Sequence, residues 1–340
     1  MNKKNIAIVA GGDSSEYVVS VKSGANVLKA INNELFIPWL VRIKGNEWSV
    51  LNGENSIAEI DKSDFSFTLN GEKSGFDYAY IIIHGTPGED GLLQGYFEMM
   101  NIPYSSCDVQ SSALTFNKFF CNNYLRSFNI PMAKSVLLHT GERYSAAEIV
   151  ESLGLPLFVK PNAGGSSFGI TKVKAREDLI DAVNKALDES PEAIVEQFVD
   201  GKEFTCGVVR IGERKLVFPV TEVIPKNEFF NFESKYTPGM ADEITPARIS
   251  EGLTLKVQSL SSQIYDLCGC RGIVRIDYIL KDEIFYFLEV NTVPGMTETS
   301  FIPQQIKAMG LNMGDLLTEI IHWGLKCQSG RSGTIDNHPD

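Results

Sequence analysis

The residues best placed to do chemistry lie in one stretch, Arg275 to Met296, R-I-D-Y-I-L-K-D-E-I-F-Y-F-L-E-V-N-T-V-P-G-M. It reads as two apolar strands around a polar turn at Lys281-Asp282-Glu283. With a three-residue turn, Asp277 lies across from Phe287. Side chains two apart on a strand share a face, which puts Arg275, Asp277, Glu289 and Asn291 together. Two carboxylates and a carboxamide on one face of an otherwise apolar hairpin need a compensating partner. A hard divalent cation with oxygen ligands is the natural one, and Mg2+ carrying nucleotide phosphates is its commonest form. A solvated sheet face would carry the same residues, and a slip of one residue in the turn would move Asp277 to the other face.

A second stretch supplies groups for phosphate. Leu157-Phe-Val-Lys160 is an apolar strand ending in a cation, followed by Pro-Asn-Ala-Gly-Gly165-Ser166-Ser167-Phe-Gly169 and a return strand over 170–173. Glycines let backbone N–H groups approach an anion, hydroxyls add donors, and Lys160 and Lys172 flank the loop. Because the loop joins two strands and lacks G-x-x-x-x-G-K-[ST], it is a phosphate-covering hairpin, not a P-loop. Farther on, an apolar strand carries Glu196, and the strand after the Gly201 turn carries Glu203. A strand that becomes a connector offers amides to an adenine edge and a carboxylate to ribose hydroxyls.

The elements that position these groups follow an α/β rhythm. Asn5–Ala10 is a buried strand, Gly11-Gly12 turns sharply, and Ser14 or Ser15 can cap a helix running to about Asn32. Glu16 falls in its first turn, either favouring the positive helix end or aimed into a cleft. The start lacks G-x-G-x-x-G, which opposes a dinucleotide-binding oxidoreductase. Residues 34–76 are strand and turn fragments. Asp77–Ile83 is a buried strand leading into His84-Gly-Thr-Pro-Gly-Glu-Asp-Gly91, a loop at a strand's C-terminal end, where sites sit. A helix over Leu92–Met100 and a short strand over Ile102–Ser105 close this unit, with a boundary near 106–110. One helix is expected from Ser111 through Lys118 towards Phe128 and another around Ala146–Leu153. Residues 227–248 form a long irregular segment around Lys235-Tyr236 whose three Phe and one Tyr oppose disorder, so it reads as a lid. Thr254–Leu267 is an amphipathic helix, helices follow over Pro303–Met309 and Met313–Leu325, and the tail from Gln328 looks unstructured.

The whole chain sets wider bounds. At 340 residues it suggests two or three domains, and its 43% apolar and 22% charged content are those of a soluble globular protein. A net charge of −12 opposes a nucleic-acid partner but not a nucleotide substrate. No apolar run reaches about 18 residues, and the N-terminal run is too short for a signal-peptide core, so no membrane partner is expected. The six cysteines are scattered, as in reduced, mostly buried thiols of a cytoplasmic protein, and Cys268-Gly-Cys270 lacks zinc-site spacing.

Taken in order, Gly11-Gly-x-Ser-x-Glu16-x-x-Val-Ser20, His84-Gly-x-x-Gly-Glu-Asp-Gly91, Lys160-Pro with Gly165-Ser-Ser, Lys235-Tyr236, Arg275-Ile-Asp277 and Glu289-x-Asn291-x-x-Pro-Gly-Met resemble the D-alanine–D-alanine ligases over roughly residues 5–325. The resemblance implies an ATP-grasp fold, α/β and α+β, with an N-terminal Rossmann-like α/β domain. It implies units at 1–108 (first D-alanine site), 109–196 (phosphate-covering loop) and 197–327 (lid and Mg2+ site), with a flexible tail at 328–340. Lys118, Lys160 and the Gly165–Ser167 backbone would hold ATP phosphates, and Glu196 and Glu203 would contact adenine and ribose. Asp277, Glu289 and Asn291 would bind two Mg2+ ions, with Mn2+ as a substitute. Glu16 would hold the first D-alanine's ammonium, with His84 near its carboxylate. Ser166 and Tyr236 would make a lid contact to Glu16, and Lys235 would reach the γ-phosphate. Arg275 and the Gly295 amide would form the oxyanion site, Ser300 would take the second carboxylate, and Phe301 would tune specificity. The implied reaction is ATP-dependent joining of two D-alanines through an acyl phosphate, for peptidoglycan precursors, in a cytoplasmic homodimer. The same fold with D-serine or D-lactate as second substrate is the nearest alternative; Tyr236 resembles the dipeptide-forming members. Tyr17 departs from the basic residue common after the glutamate.

Overall fold

The run Ile6–Ala10 is at most 1% exposed and lies one strand in from an edge of the first sheet. Its strand β1 (Lys4–Gly11) pairs in parallel with β2 (Phe36–Lys44) on one side and β7 (Tyr78–Ile81) on the other. Parallel strands covered on both faces need such unbroken apolar runs. Between β2 and β7, the fragments of residues 34–76 become an antiparallel meander, β3 (Glu47–Asn52), β4 (Asn55–Asp61), β5 (Ser66–Leu69) and β6 (Glu72–Gly75). The helix α1 (Tyr17–Ala30) packs on β1 and β2, and α2 (Leu92–Met99) follows the His84 loop. The computed structural model describes residues 3–164, 169–226 and 240–331.

Helices α3 (Val109–Phe116) and α4 (Lys118–Arg126) lead to a second sheet of order β10-β9-β11-β8: β8 (Ser135–His139), β9 (Leu157–Pro161), β10 (Thr171–Val173) and β11 (Glu192–Gln197). Helices α5 (Ala146–Leu153) and α6 (Leu179–Leu187) cover it, burying Val159, Val183 and Val195 completely. The third sheet holds β12 (Lys202–Ile211), β13 (Arg214–Val217), β14 (Thr221–Pro225), β15 (Ala241–Ile244), β16 (Gly272–Lys281) and β17 (Ile284–Asn291). Helix α7 (Glu251–Leu267) packs on it through Val257, Ile264 and Tyr265. The last helices, α8 (Phe301–Ala308) and α9 (Met313–Arg331), return to the first sheet, where Ile302, Leu317 and Ile321 join the core of β1 and β7. Among the described residues no helix is long and apolar enough to cross a membrane.

Five expectations change. Neither Ser14 nor Ser15 caps α1; Glu16 is its N-cap residue without a side-chain cap bond, while the Ser14 hydroxyl donates to the His84 carbonyl. The single helix over 111–128 is two, broken at Asn117, whose side chain accepts from the Phe120 amide and restarts the turn as α4. Ile102–Ser105 makes only a bridge between Tyr104 and Ala79, not a strand. Within the irregular segment 227–248, Ala241–Ile244 is a strand paired with β14, and residues 227–239 lie outside the described residues. The tail begins later than Gln328, because α9 continues to Arg331. Five of the six cysteines are buried thiols and Cys327 is exposed.

Candidate active site

The β16–β17 hairpin turns on two residues, not three. Lys281 pairs with Ile284, and Asp282 and Glu283 both adopt positive φ, 49° and 61°. That is the backbone of a type I′ hairpin, whose twist suits the flanking strands. The tighter turn alone would set Asp277 opposite Leu288. An irregularity between Asp277 and Tyr278 absorbs one more residue of β17, so Asp277 faces Glu289, not Phe287, and Arg275 faces Asn291. All four side chains thus share one face, as expected, in a different register.

Arg275 grips Asp277 with two nitrogens, Nε to Oδ1 at 2.9 Å and Nη2 to Oδ2 at 2.6 Å. Thr205 on β12, directly opposite Asp277, donates its hydroxyl to the same Oδ1 at 2.6 Å. Side-chain exposure of 12% for Arg275 and 9% for Asp277 makes this a buried pair, and the guanidinium carbon lies 5.5 Å from the centre of the Phe301 ring. The Asn291 carboxamide oxygen accepts from the Val293 amide at 3.2 Å. Asp277, Glu289 and Asn291 present oxygen donors from facing strands, a set that fits a hard cation such as Mg2+.

Arg275, Glu289 and Asn291 form one wall of a cavity of about 550 Å3, with Asp277 set back from it. The segment after β1 brings Glu16, the loop after β7 brings His84 and Glu89, the start of α4 brings Lys118, and the segment after β9 brings Gly164. Glu289, Gly295, Ser300 and Phe301 complete it with Arg275 and Asn291. Glu16 is 9% exposed and points into this space, so its place at the helix start is more than a favourable end charge. His84 sets Nδ1 2.7 Å from the Val293 carbonyl, so that nitrogen carries the proton of the neutral ring. Its Nε2 is buried without a hydrogen-bond partner among the described residues. Burial lowers the ring's proton affinity and outweighs the pull of nearby Glu16. An ammonium would meet Nε2 as it stands; a carboxylate there would draw a second proton onto the ring.

Glu89 ties this loop to the hairpin's exit. Its oxygens accept from the Gly85 amide at 2.7 Å and the Val293 amide at 3.3 Å. Burial, then the neighbouring Glu16 charge, pushes its carboxyl up to about 8. The folded form therefore holds this proton to higher pH than an unfolded chain, whose carboxyl titrates near 4.5. Stability from Glu89 is complete below that value and is lost as pH rises towards 8. Thermal melts across pH 5–9 should show a decline that is shallower in Glu89→Gln; parallel curves would contradict this.

On the second sheet, Lys160 pairs with Glu196 at 2.6 Å, and Asn122 Nδ2 donates to the other Glu196 oxygen at 3.2 Å. Burial opposes the Lys160 charge, but Glu196 overcomes it and raises the amine above its usual 10.5. The pair's contribution is full below that pH and is lost as pH climbs through the raised value. Lys160→Ala would strand a buried carboxylate and should cost about 3–5 kcal/mol in urea unfolding. A loss under about 1 kcal/mol would mark the pair as an ordinary surface contact. Lys118 Nζ donates to the Gly164 carbonyl at 2.7 Å and stands 3.8 Å from Glu289, linking the loop to the hairpin. The helix break explains its position. Asn162 binds the Lys118 amide with its carbonyl at 3.0 Å and the Phe119 amide with its side chain at 2.8 Å, anchoring the start of α4 beside the loop. Glu203, on β12, lies close enough to Lys160 to favour its charge.

Gly165, Ser166, Ser167, Lys235 and Tyr236 lie outside the described residues. Ser300 lines the cavity with its hydroxyl accepting from the Thr297 amide at 3.1 Å, and Gly295 is packed against it so closely that a Cβ would sit 2.9 Å from that oxygen. Sequence reasoning missed Thr205, Glu89, Asn162 and Glu243. Thr205 shares a strand face with Glu203, a signal that became useful only once β12 was known to neighbour β16.

The D-ala D-ala ligase N-terminus model matches residues 5–107 and the D-ala D-ala ligase C-terminus model matches residues 124–322. A D-alanine–D-alanine ligase of Bacteroides fragilis is 53% identical over 320 residues, 94% of this chain and 98% of the relative. Among solved structures, the VanG D-Ala:D-Ser ligase from Enterococcus faecalis superposes with a TM-score of 0.85 at 32% identity, covering 95% of this chain and 99% of that one. The Bacillus anthracis D-alanine–D-alanine ligase complexed with ATP gives a TM-score of 0.78 at 27% identity, covering 97% of this chain and 100% of that one.

Proposed function

The chain belongs to the D-alanine–D-alanine ligase family with the ATP-grasp fold, and on that premise we propose how its cavity performs ATP-dependent joining of two D-alanines. The observation that carries the reading is the convergence on one cavity of Glu16 and His84 with Lys118, Arg275 and Glu289, drawn from the ends of β1 and β7, the start of α4 and the β16–β17 hairpin. Glu16 holds the ammonium of the first D-alanine, and His84 stands by its carboxylate. Lys118 and Lys160 fix the ATP phosphates so that a carboxylate oxygen of the first D-alanine attacks the γ-phosphorus, giving an acyl phosphate and ADP. The second ammonium gives up one proton to become the attacking amine, which bonds to the acyl carbon; phosphate leaves with the C–O electron pair and takes up a second N–H proton as the amide forms. Arg275, with the Gly295 amide, offsets negative charge on the carbonyl oxygen, where a prearranged donor is worth most. Asp277, Glu289 and Asn291 would hold Mg2+, which when bound would neutralise phosphate charge.

The remaining roles belong to the same reading. Glu196 and Glu203 take adenine and ribose; Ser166, Tyr236, Lys235 and the Gly165–Ser167 backbone close the site and keep water from the acyl phosphate. Ser300 takes the second carboxylate and Phe301 shapes its pocket. The units 1–108, 109–196 and 197–327, the cytoplasmic location, the homodimer and the use of two Mg2+ ions are proposed with it. D-alanine is favoured over D-serine as second substrate because the D-alanine–D-alanine ligase of B. fragilis is 53% identical, against 32% for the D-Ala:D-Ser ligase. Mass detection of products from equimolar D-alanine, D-serine and D-lactate tests that choice. D-Ala-D-Ala should dominate; a predominant D-Ala-D-Ser or D-Ala-D-lactate mass would reassign the second substrate.

A further inference from the structure

Glu243 is a carboxylate in the cavity wall that none of the roles above uses. It sits on β15 opposite Val223 of β14, half-buried, and its Oε2 accepts from Gln304 Nε2 of α8 at 2.6 Å. The same Gln304 nitrogen donates to the Thr299 carbonyl at 2.8 Å, so the carboxylate is anchored to the loop that carries Ser300. Glu243 lines the cavity together with Thr299, Ser300 and Phe301, within reach of the Arg275 charge. Burial raises the Glu243 carboxyl while Gln304 and then Arg275 pull it back down.

An amino acid entering this end arrives as a zwitterion and needs partners of both signs. Ser300, at the positive N-terminal end of α8, suits a carboxylate. Nothing in the roles above meets the ammonium that must come to rest near Arg275. We propose that Glu243 binds the ammonium of the second amino acid and so selects an amine over a hydroxyl acceptor at this position. This rests on the proposed ligase reading and assigns it a further substrate-binding residue.

Steady-state kinetics of the full chain with ATP and Mg2+ test it, with D-alanine or D-lactate as acceptor. Loss of one charged hydrogen bond predicts that Glu243→Gln raises the KM of the second D-alanine by about 10- to 100-fold. The KM values of ATP and the first D-alanine should stay as they are, D-lactate use should hold, and Glu243→Asp should recover part of the loss. An unchanged second KM in Glu243→Gln, or an equal loss towards D-lactate, would overturn the assignment. Should Glu243→Gln fail to fold, Gln304→Leu, which frees Oε2, should raise the same KM severalfold, and no change there would overturn it as well. A wild-type chain that forms no dipeptide would instead remove the ligase reading itself.

Discussion

Replacing Arg275 with alanine should damage folding and turnover together. The substitution leaves the Asp277 carboxylate, with 9% side-chain exposure, supported by Thr205 and no longer by a cation. Breaking a buried pair from one side costs about 3–5 kcal/mol, because the remaining charge is uncompensated. Dipeptide formation should fall by about 10²- to 10³-fold, the range for removing a prearranged donor to a developing oxyanion. Arg275→Lys separates the two effects: it keeps a charge beside Asp277 but cannot make both contacts, so it should recover stability more than rate. Urea unfolding and turnover measured on the same preparations check this. An Arg275→Ala protein as stable as the parent would mean that Asp277 is solvated and the pair is not buried.

Glu289→Gln should behave in the opposite way, with a normal fold and little activity. Glu289 is 32% exposed, and its cation neighbour Lys118 is 3.8 Å away, so the loss of its charge should change stability little. It faces Asp277 across the hairpin, however, where the two carboxylates and Asn291 are proposed to hold Mg2+. Metal-assisted neutralisation of phosphate charge is worth several kcal/mol, so turnover should drop about a thousandfold or more. Raising Mg2+ should restore part of the rate. Near-normal turnover at ordinary Mg2+ would remove Glu289 from the metal set.

The sequence announced local features well. Ile6–Ala10 and the α1 periodicity are signals contained within one element, and each stands where expected. The face shared by Arg275, Asp277, Glu289 and Asn291 was legible too, but not its register. A two-residue turn and a compensating irregularity shift the pairing twice, and only cross-strand packing decides whether the second shift occurs. The helix break at Asn117 was hidden for a similar reason. Residues 111–128 have helical spacing throughout, and the restart is imposed by Asn162, 45 positions away along the chain. Glu89 and Glu243 take their meaning from Val293 and Gln304, distant partners that no spacing near either residue records. Contacts between elements far apart in the chain, which build most of this cavity, are the part of a fold that a single sequence encodes least locally.

The most direct test of the ligase account is phosphate release from ATP and Mg2+ with D-alanine, L-alanine or no amino acid, with product mass read in parallel. Release that requires D-alanine and yields the D-Ala-D-Ala mass is the predicted result. ATP hydrolysis that proceeds equally without D-alanine, or with D-alanine but no dipeptide, would contradict it.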